Sequence, residues 1–203
     1  MKKILVLALL GLVGWNAFGR PEGAEYFYPS GGDSHKYTFR STTGFYIHAQ
    51  RGSLSSTFGQ HATLTHDETV TIDGHTYRKM VLRHNSPGTK NRVTYSRLGK
   101  DGIYSRRSSE LTSEEYLELP LPPKIGQKWR YQVGKEHTES EIAAIESVEV
   151  AGKTYHKCLR VNSWGTVDGM PAYSVTHYAP WVGMVKFAST VGGQEFELAL
   201  SQE

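Results

Sequence analysis

Apolar and polar residues alternate with period two along much of the chain. Trp129, Tyr131 and Val133 alternate with Lys128, Arg130 and Gln132, and Phe196, Leu198 and Leu200 with Glu195, Glu197 and Ala199. Tyr37 and Phe39 alternate with Lys36, Thr38 and Arg40, and Val70 and Ile72 with Thr69 and Thr71. Successive side chains of a strand point to opposite faces, so each segment predicts a strand with one apolar and one wet face. This pattern belongs to antiparallel sheets, because the strands of a doubly covered parallel sheet read as continuous apolar runs. Asp73-Gly74 and Ala151-Gly152 separate such segments and predict two-residue hairpin turns, which need positive φ. The spacing of turn signals predicts roughly ten to twelve strands. One segment has helical character: Leu111–Leu119 carries Glu114, Glu115 and Glu118, and the prolines that follow it would stop a helix.

The pattern occurs twice. Residues 68–83 (ETVTIDGHTYRKMVLR) align without a gap to residues 146–161 (ESVEVAGKTYHKCLRV), with identities that include Glu68/Glu146, Gly74/Gly152, Tyr77/Tyr155 and Lys79/Lys157. Upstream, Pro29 to Tyr37 and Pro123 to Tyr131 both read P-x-x-G-x-x-[HW]-x-Y. Self-similarity at a fixed period is the mark of a repeated unit, here with repeat one at about 26–109, a linker at about 110–122 and repeat two at about 123–203. The first half holds about sixteen extra residues within Thr42–His61, which read as a longer hairpin or loop. The two halves share one core, which gives a single β domain over residues 20–203. The expected fold is mainly all-β: a strongly curved antiparallel sheet, either an open half-barrel or a closed barrel, built from two pseudo-repeats.

The first residues read as a targeting segment. Lys2 and Lys3 precede an uncharged apolar run from Ile4 to Trp15, and Ala17-Phe18-Gly19 supplies small residues for cleavage after Gly19. The run is shorter than the ~20 apolar residues that cross a bilayer, so residues 1–19 are expected to be a cleaved signal peptide, with no transmembrane segment after cleavage. That places the protein in the periplasm or outside a bacterial cell. The signal lysines account for two of the net +3 charges, and the remaining chain is nearly neutral with interspersed signs. Such a surface has no electrostatic footprint for nucleic acid. Cys158 is the only cysteine, so no internal disulfide forms, and its strand setting reads as a small buried hydrophobe.

No reactive constellation emerges. His61 and His66, with Asp67 and Glu68, are the densest group of metal-ligating residues, but they lack tight pairing and a third ligand, so no metal and no cofactor is expected. His35, His137 and His177 fall on strands as surface or hydrogen-bonded imidazoles. Nucleophile-elbow, S-x-x-K and P-loop patterns are absent. Glu146 and Glu149 would point to opposite faces of a regular strand. A hydrolase would need a histidine within reach of a serine or acid in a cleft. The twelve Tyr, seven Phe and four Trp are the remaining signal. Aromatics on one-sided strands fill cores, and on a wide concave sheet they also line ligand sites. Trp129, Tyr131, Tyr155, Leu159, Tyr178 and Phe187 are the candidate lining residues for a hydrophobic small molecule or lipid. Trp164, Trp181 and Tyr178, if clustered at a loop rim, would instead suit a polysaccharide or an envelope partner.

The strings Pro123-x-x-Gly126-x-x-Trp129-x-Tyr131, Val148-x-Val150-x-Gly152-x-x-Tyr155-x-x-Cys158 and Tyr178-Ala179-Pro180-x-Val182-Gly183-x-Val185 resemble a family of uncharacterised secreted bacterial β proteins, several known only as domains of unknown function. The first half fits less well, with His35 in place of the tryptophan and Leu98-Gly99-Lys100 in place of the Ala-Pro turn. The resemblance implies an exported bacterial protein and, by analogy of fold, an open β-barrel like that of lipoprotein carriers. It brings no catalytic residues.

Overall fold

A computed structural model describes residues 21–27, 34–41, 60–84, 91–107 and 114–201. Among the described residues, twelve strands form one antiparallel sheet. The first six are β1 (Ser34–Ser41), β2 (Gln60–Ile72), β3 (His75–His84), β4 (Arg92–Leu98), β5 (Gly102–Arg107) and β6 (Glu115–Pro120). The second six are β7 (Lys128–Val133), β8 (Glu136–Val150), β9 (Lys153–Val167), β10 (Met170–Ala179), β11 (Gly183–Val191) and β12 (Gln194–Leu200). Their order across the sheet is β6-β5-β4-β3-β2-β1-β12-β11-β10-β9-β8-β7. Each set of six is an up-and-down meander, and the two meanders join where β1 pairs with β12. The sheet curls until its two edges, β6 and β7, lie side by side, so the barrel is closed except for a ladder at that seam. The segments 68–83 and 146–161 occupy the β2–β3 and β8–β9 hairpins.

The predicted turns form as the chemistry requires. Asp73 and Gly74 have φ of 49° and 76°, and Ala151 and Gly152 repeat this left-handed geometry with φ of 50° and 78°. Positive φ at both central residues matches the turn to the right-handed twist of its strands.

The segment 111–119 is not the expected helix. Residues 115–120 are strand β6, paired along β5, and Leu111 to Ser113 lie outside the described residues. The reason is long-range. Glu115 is held by Arg97 of β4 and Tyr77 of β3, and Glu118 by Ser105 of β5, so tertiary partners outweigh a local preference worth tenths of a kcal/mol per residue. The expected loop at 42–61 falls almost wholly outside the described residues.

Paired residues share a face, so the registers sort the side chains into an inner and an outer set. Trp129, Tyr131, Leu159, Val161, Phe187, Leu198, Tyr37 and Ala62 fall on the inner face. Lys128, Arg130 and Gln132 are exposed on the outer one. The rule fails at one hairpin. An irregularity between His66 and Thr69 inserts an extra residue into β2 and turns Val70 to the outer face, opposite Tyr77. Not all the apolar sides therefore face a common interior. Tyr77 is buried on the outside, beneath the guanidiniums of Arg97 and Arg106 at 5.8 and 5.5 Å from its ring centre.

Two apolar clusters occupy the inside. One gathers Ile103, Leu119, Leu121, Trp129, Ile142, Leu159 and Val161 around an N-terminal segment, the 3₁₀ turn Ala24–Tyr26 with Phe27. This segment caps the end of the barrel that carries the 121–127 connection. Trp181 N–H donates to the Glu25 carbonyl at 2.7 Å, and Gly23, at φ +91°, sits where a Cβ would lie 2.2 Å from Pro123 Cδ. The other cluster packs Tyr37, Ala62, Ala179, Val185, Leu198 and Leu200 against Val150 and Cys158 of the long β8–β9 hairpin. Bulges at 142–144 and 146–148 bend that hairpin. Cys158 is fully buried, and burial together with Glu146 pushes its thiol pKa up.

Candidate functional site

The structure divides the candidate lining residues between the two clusters. Trp129 and Leu159 are buried in the first, with Tyr131 and Tyr178 packed against it. Tyr155 and Phe187 pack against the second. Phe187 is inward and meets Phe196 at 5.9 Å, while Tyr155 lies on the bent hairpin under the Lys153 ammonium, 4.9 Å from its ring centre.

A row of small hydroxyls crosses the inner face. Ser140, Ser163, Ser174 and Ser189 are register partners on β8, β9, β10 and β11, with Trp129 at one end and Phe196 at the other. Ser140 and Ser163 hydroxyls lie 2.8 Å apart. Ser163, Ser174 and the neighbouring Ala172 keep partial solvent contact although they sit in mid-sheet. Eight strands already give a barrel just wide enough for side chains to fill, and this sheet has twelve.

The most polar part of the interior lies at the seam. β6 has an extra residue relative to β5: Leu117 pairs with Tyr104 and Leu119 with Ile103, which leaves Glu118 unpaired at a bulge. Bulges re-aim side chains and recur beside functional sites. Here the carboxyl accepts a hydrogen bond from Ser105 Oγ, which is itself 2.6 Å from Ser96 Oγ. Across the seam Tyr116 stacks on Tyr131, with ring centres 4.6 Å apart, and Arg107 pairs with Glu136. Burial raises the Tyr116 and Tyr178 hydroxyls above their ordinary pKa, and the nearby Glu118 carboxyl raises both further. Trp129 Nε1 and Arg107 Nε are buried donors without a hydrogen-bond partner among the described residues.

Burial also raises the Glu118 carboxyl above its ordinary 4.5, against opposing contributions from Ser105 and Arg92. The fold thus disfavours its charged form. That cost is absent below pH 4.5, grows as pH rises above it and is complete once pH passes the folded value. Glu118→Gln, which can still accept from Ser105, will melt above the native protein at about pH 8 and close to it at about pH 4, as thermal scans at the two pH values will show.

Other polar groups stay outside. His177 Nε2 is 3.0 Å from Glu146 Oε1, with Arg160 at 3.6 Å from the same carboxylate, on the outer face. His156 Nδ1 and Ser147 Oγ, 3.0 Å apart, are exposed on the β8–β9 hairpin. Neither pair lies on the inner face. A bulge does separate Glu146 from Val148, but Glu149 is exposed opposite Thr154 and does not join Glu146. The side chains of His61, His66 and Asp67 lie outside the described residues. Among those described, no three His, Cys, Asp or Glu residues group as metal ligands. Trp164, Trp181 and Tyr178 do not share a rim. Trp164 is 41% exposed on the outer face against Tyr173, Trp181 is exposed in the β10–β11 turn at the opposite end, and Tyr178 packs inside.

The sequence reading missed Glu118, Ser105 and Arg107. A faint signal existed in Tyr116-Leu117-Glu118-Leu119, where an acid stands two residues from an aromatic, as one strand face would place them.

No family model matches the chain, and no curated protein does. Two solved structures are similar to it. One is a candidate exported protein with a YmcC-like fold from Bacteroides fragilis NCTC 9343, at a TM-score of 0.52 and 11% identity, covering 86% of this chain and 96% of that one. The other is a candidate lipoprotein from Parabacteroides distasonis ATCC 8503, at a TM-score of 0.51 and 10% identity, covering 90% and 98%. At such identities the likeness is one of fold alone, the fold that the first of them carries as YmcC-like.

Proposed function

We propose that this chain is a non-enzymatic, exported bacterial protein that holds a lipid-like or other hydrophobic ligand inside its barrel. Residues 1–19 are then its cleaved signal peptide and the two meanders are copies of one unit. The observation that carries the reading is the serine row between Trp129 and Phe196: small side chains stand where a filled barrel would place bulky ones. Pockets for such ligands are mostly apolar with a few placed polar groups, which is the composition of this inner face. The exported and lipoprotein descriptions of the two similar structures support an extracytoplasmic location.

The test is the protein purified from a bacterial periplasm without detergent. Native mass spectrometry will detect a bound amphipath at one per chain, and organic extraction will release it. An empty protein that also takes up none of a panel of long-chain amphipaths overturns the reading. The exposed Trp164–Tyr173 pair favours a second one, a surface that binds a polysaccharide or an envelope partner. Glycan binding abolished by Trp164→Ala, by a protein empty of lipid, would establish that reading instead.

A further inference from the structure

We propose that the seam cluster of Glu118, Ser105, Trp129 and Arg107 is the head-group site of the barrel, and that it selects an uncharged polyol head, such as a glycerol or sugar ester, over a carboxylate. This rests on the ligand reading above and adds the chemistry of the head.

The four residues lie on β5, β6 and β7, the strands around the Tyr116–Tyr131 stack. Glu118 is two residues from Tyr116 on β6, and Trp129 two residues from Tyr131 on β7. Arg107 lies two residues beyond Ser105 on β5, and Ser105 is the register partner of Tyr116. All fall on the inner face, within one or two same-face steps of one another, each step about 7 Å along a strand.

Their hydrogen-bonding capacity is uneven. A carboxylate offers about four acceptor positions. Among the described residues, Ser105 supplies the one donor to Glu118. Trp129 Nε1 and Arg107 Nε are donors with no acceptor among those residues. Buried polar groups are nearly always paired, so unpaired donors on the same face as an under-used acceptor mark a place for a polar guest. A hydroxyl both donates and accepts, and a polyol presents several at once.

Charge decides which polar head fits. The ionisable groups here are Glu118 and Glu136 on one side and Arg107 and Arg92 on the other, with Arg107 already paired to Glu136. The set balances and leaves no charge for a ligand to neutralise. A carboxylate head placed against Glu118 would set two like charges in a site of low dielectric, where one of them must take a proton. A diol meets no such penalty.

The experiment compares 1-oleoylglycerol with oleate, which share an acyl chain and differ in the head, by displacement of a fluorescent lipid at about pH 8. The native protein will bind the glyceride at least about tenfold tighter, equivalent to about 1.4 kcal/mol. Glu118→Gln will bring the two affinities within about twofold, through a gain for oleate. Equal binding, or a preference for oleate, by the native protein overturns the head-group assignment and leaves the ligand reading standing. An unchanged ratio in Glu118→Gln overturns it as well. Failure of both probes to bind overturns the two together. The native ratio decides the matter even if the variant does not fold.

Discussion

Leu159→Ala will lower the free energy of unfolding by about 3 kcal/mol. Leu159 is fully buried, and it joins Trp129, Ile142 and Val161 to the N-terminal segment that caps the barrel. Removing a buried side chain loses its transfer free energy and leaves a cavity, and the second term grows with the rigidity of the wall. The wall here is β8, β9 and β10, bonded to one another on both sides of Leu159 and unable to collapse inward without breaking their ladders. For a chain of this size the melting temperature will fall by about 10 °C. Urea denaturation followed by circular dichroism measures the effect. A loss below about 1 kcal/mol would show that Leu159 borders open space and makes few contacts to lose.

Arg97→Ala will cost about 2 kcal/mol at neutral pH, and less in acid. Arg97 Nε and Nη2 lie 2.7 and 2.6 Å from the two oxygens of Glu115, and its guanidinium rests 4.7 Å from the ring centre of Tyr104. Tyr77 donates to the same carboxylate. Burial alone would raise the Glu115 pKa, but the hydrogen bonds from Arg97 and Tyr77 outweigh it and hold it below 4.5. A depressed carboxyl stabilises the fold above its unfolded pKa, and that stability is lost as pH falls through the folded value. The native protein therefore loses this contribution below pH 4.5, whereas the variant has little of it to lose. Denaturation curves at about pH 7 and about pH 3 will show the gap shrink by half or more. An equal gap at both would mean that Arg97 acts by covering Tyr77 and not through the ion pair.

The architecture was legible because alternation is a local property. Trp129, Tyr131 and Val133 announce a strand and its inner face without reference to any other segment, and Asp73-Gly74 announces a turn through backbone sterics alone. What stayed hidden depends on distant partners. β6 reads as a helix because its acids and leucines suit one, and only Arg97, Tyr77 and Ser105 on other strands make it a strand. The bulge that frees Glu118 leaves no mark in composition, nor does the irregularity that turns Val70 outward. Of the candidate site, the aromatic part could be named from one-sided strands. The polar part could not, because β6 and β7, which carry Glu118 and Trp129, come side by side only when the sheet has curled through twelve strands.

A curled sheet that stops short of full bonding keeps two rows of unsatisfied amides and carbonyls, the usual template for strand addition between molecules. Here those rows belong to consecutive strands of one chain and confront each other across stacked tyrosines and an Arg107–Glu136 pair. Each border screens its twin, so the barrel is protected from polymerising without a final ladder, and its weakest line of closure runs between β6 and β7.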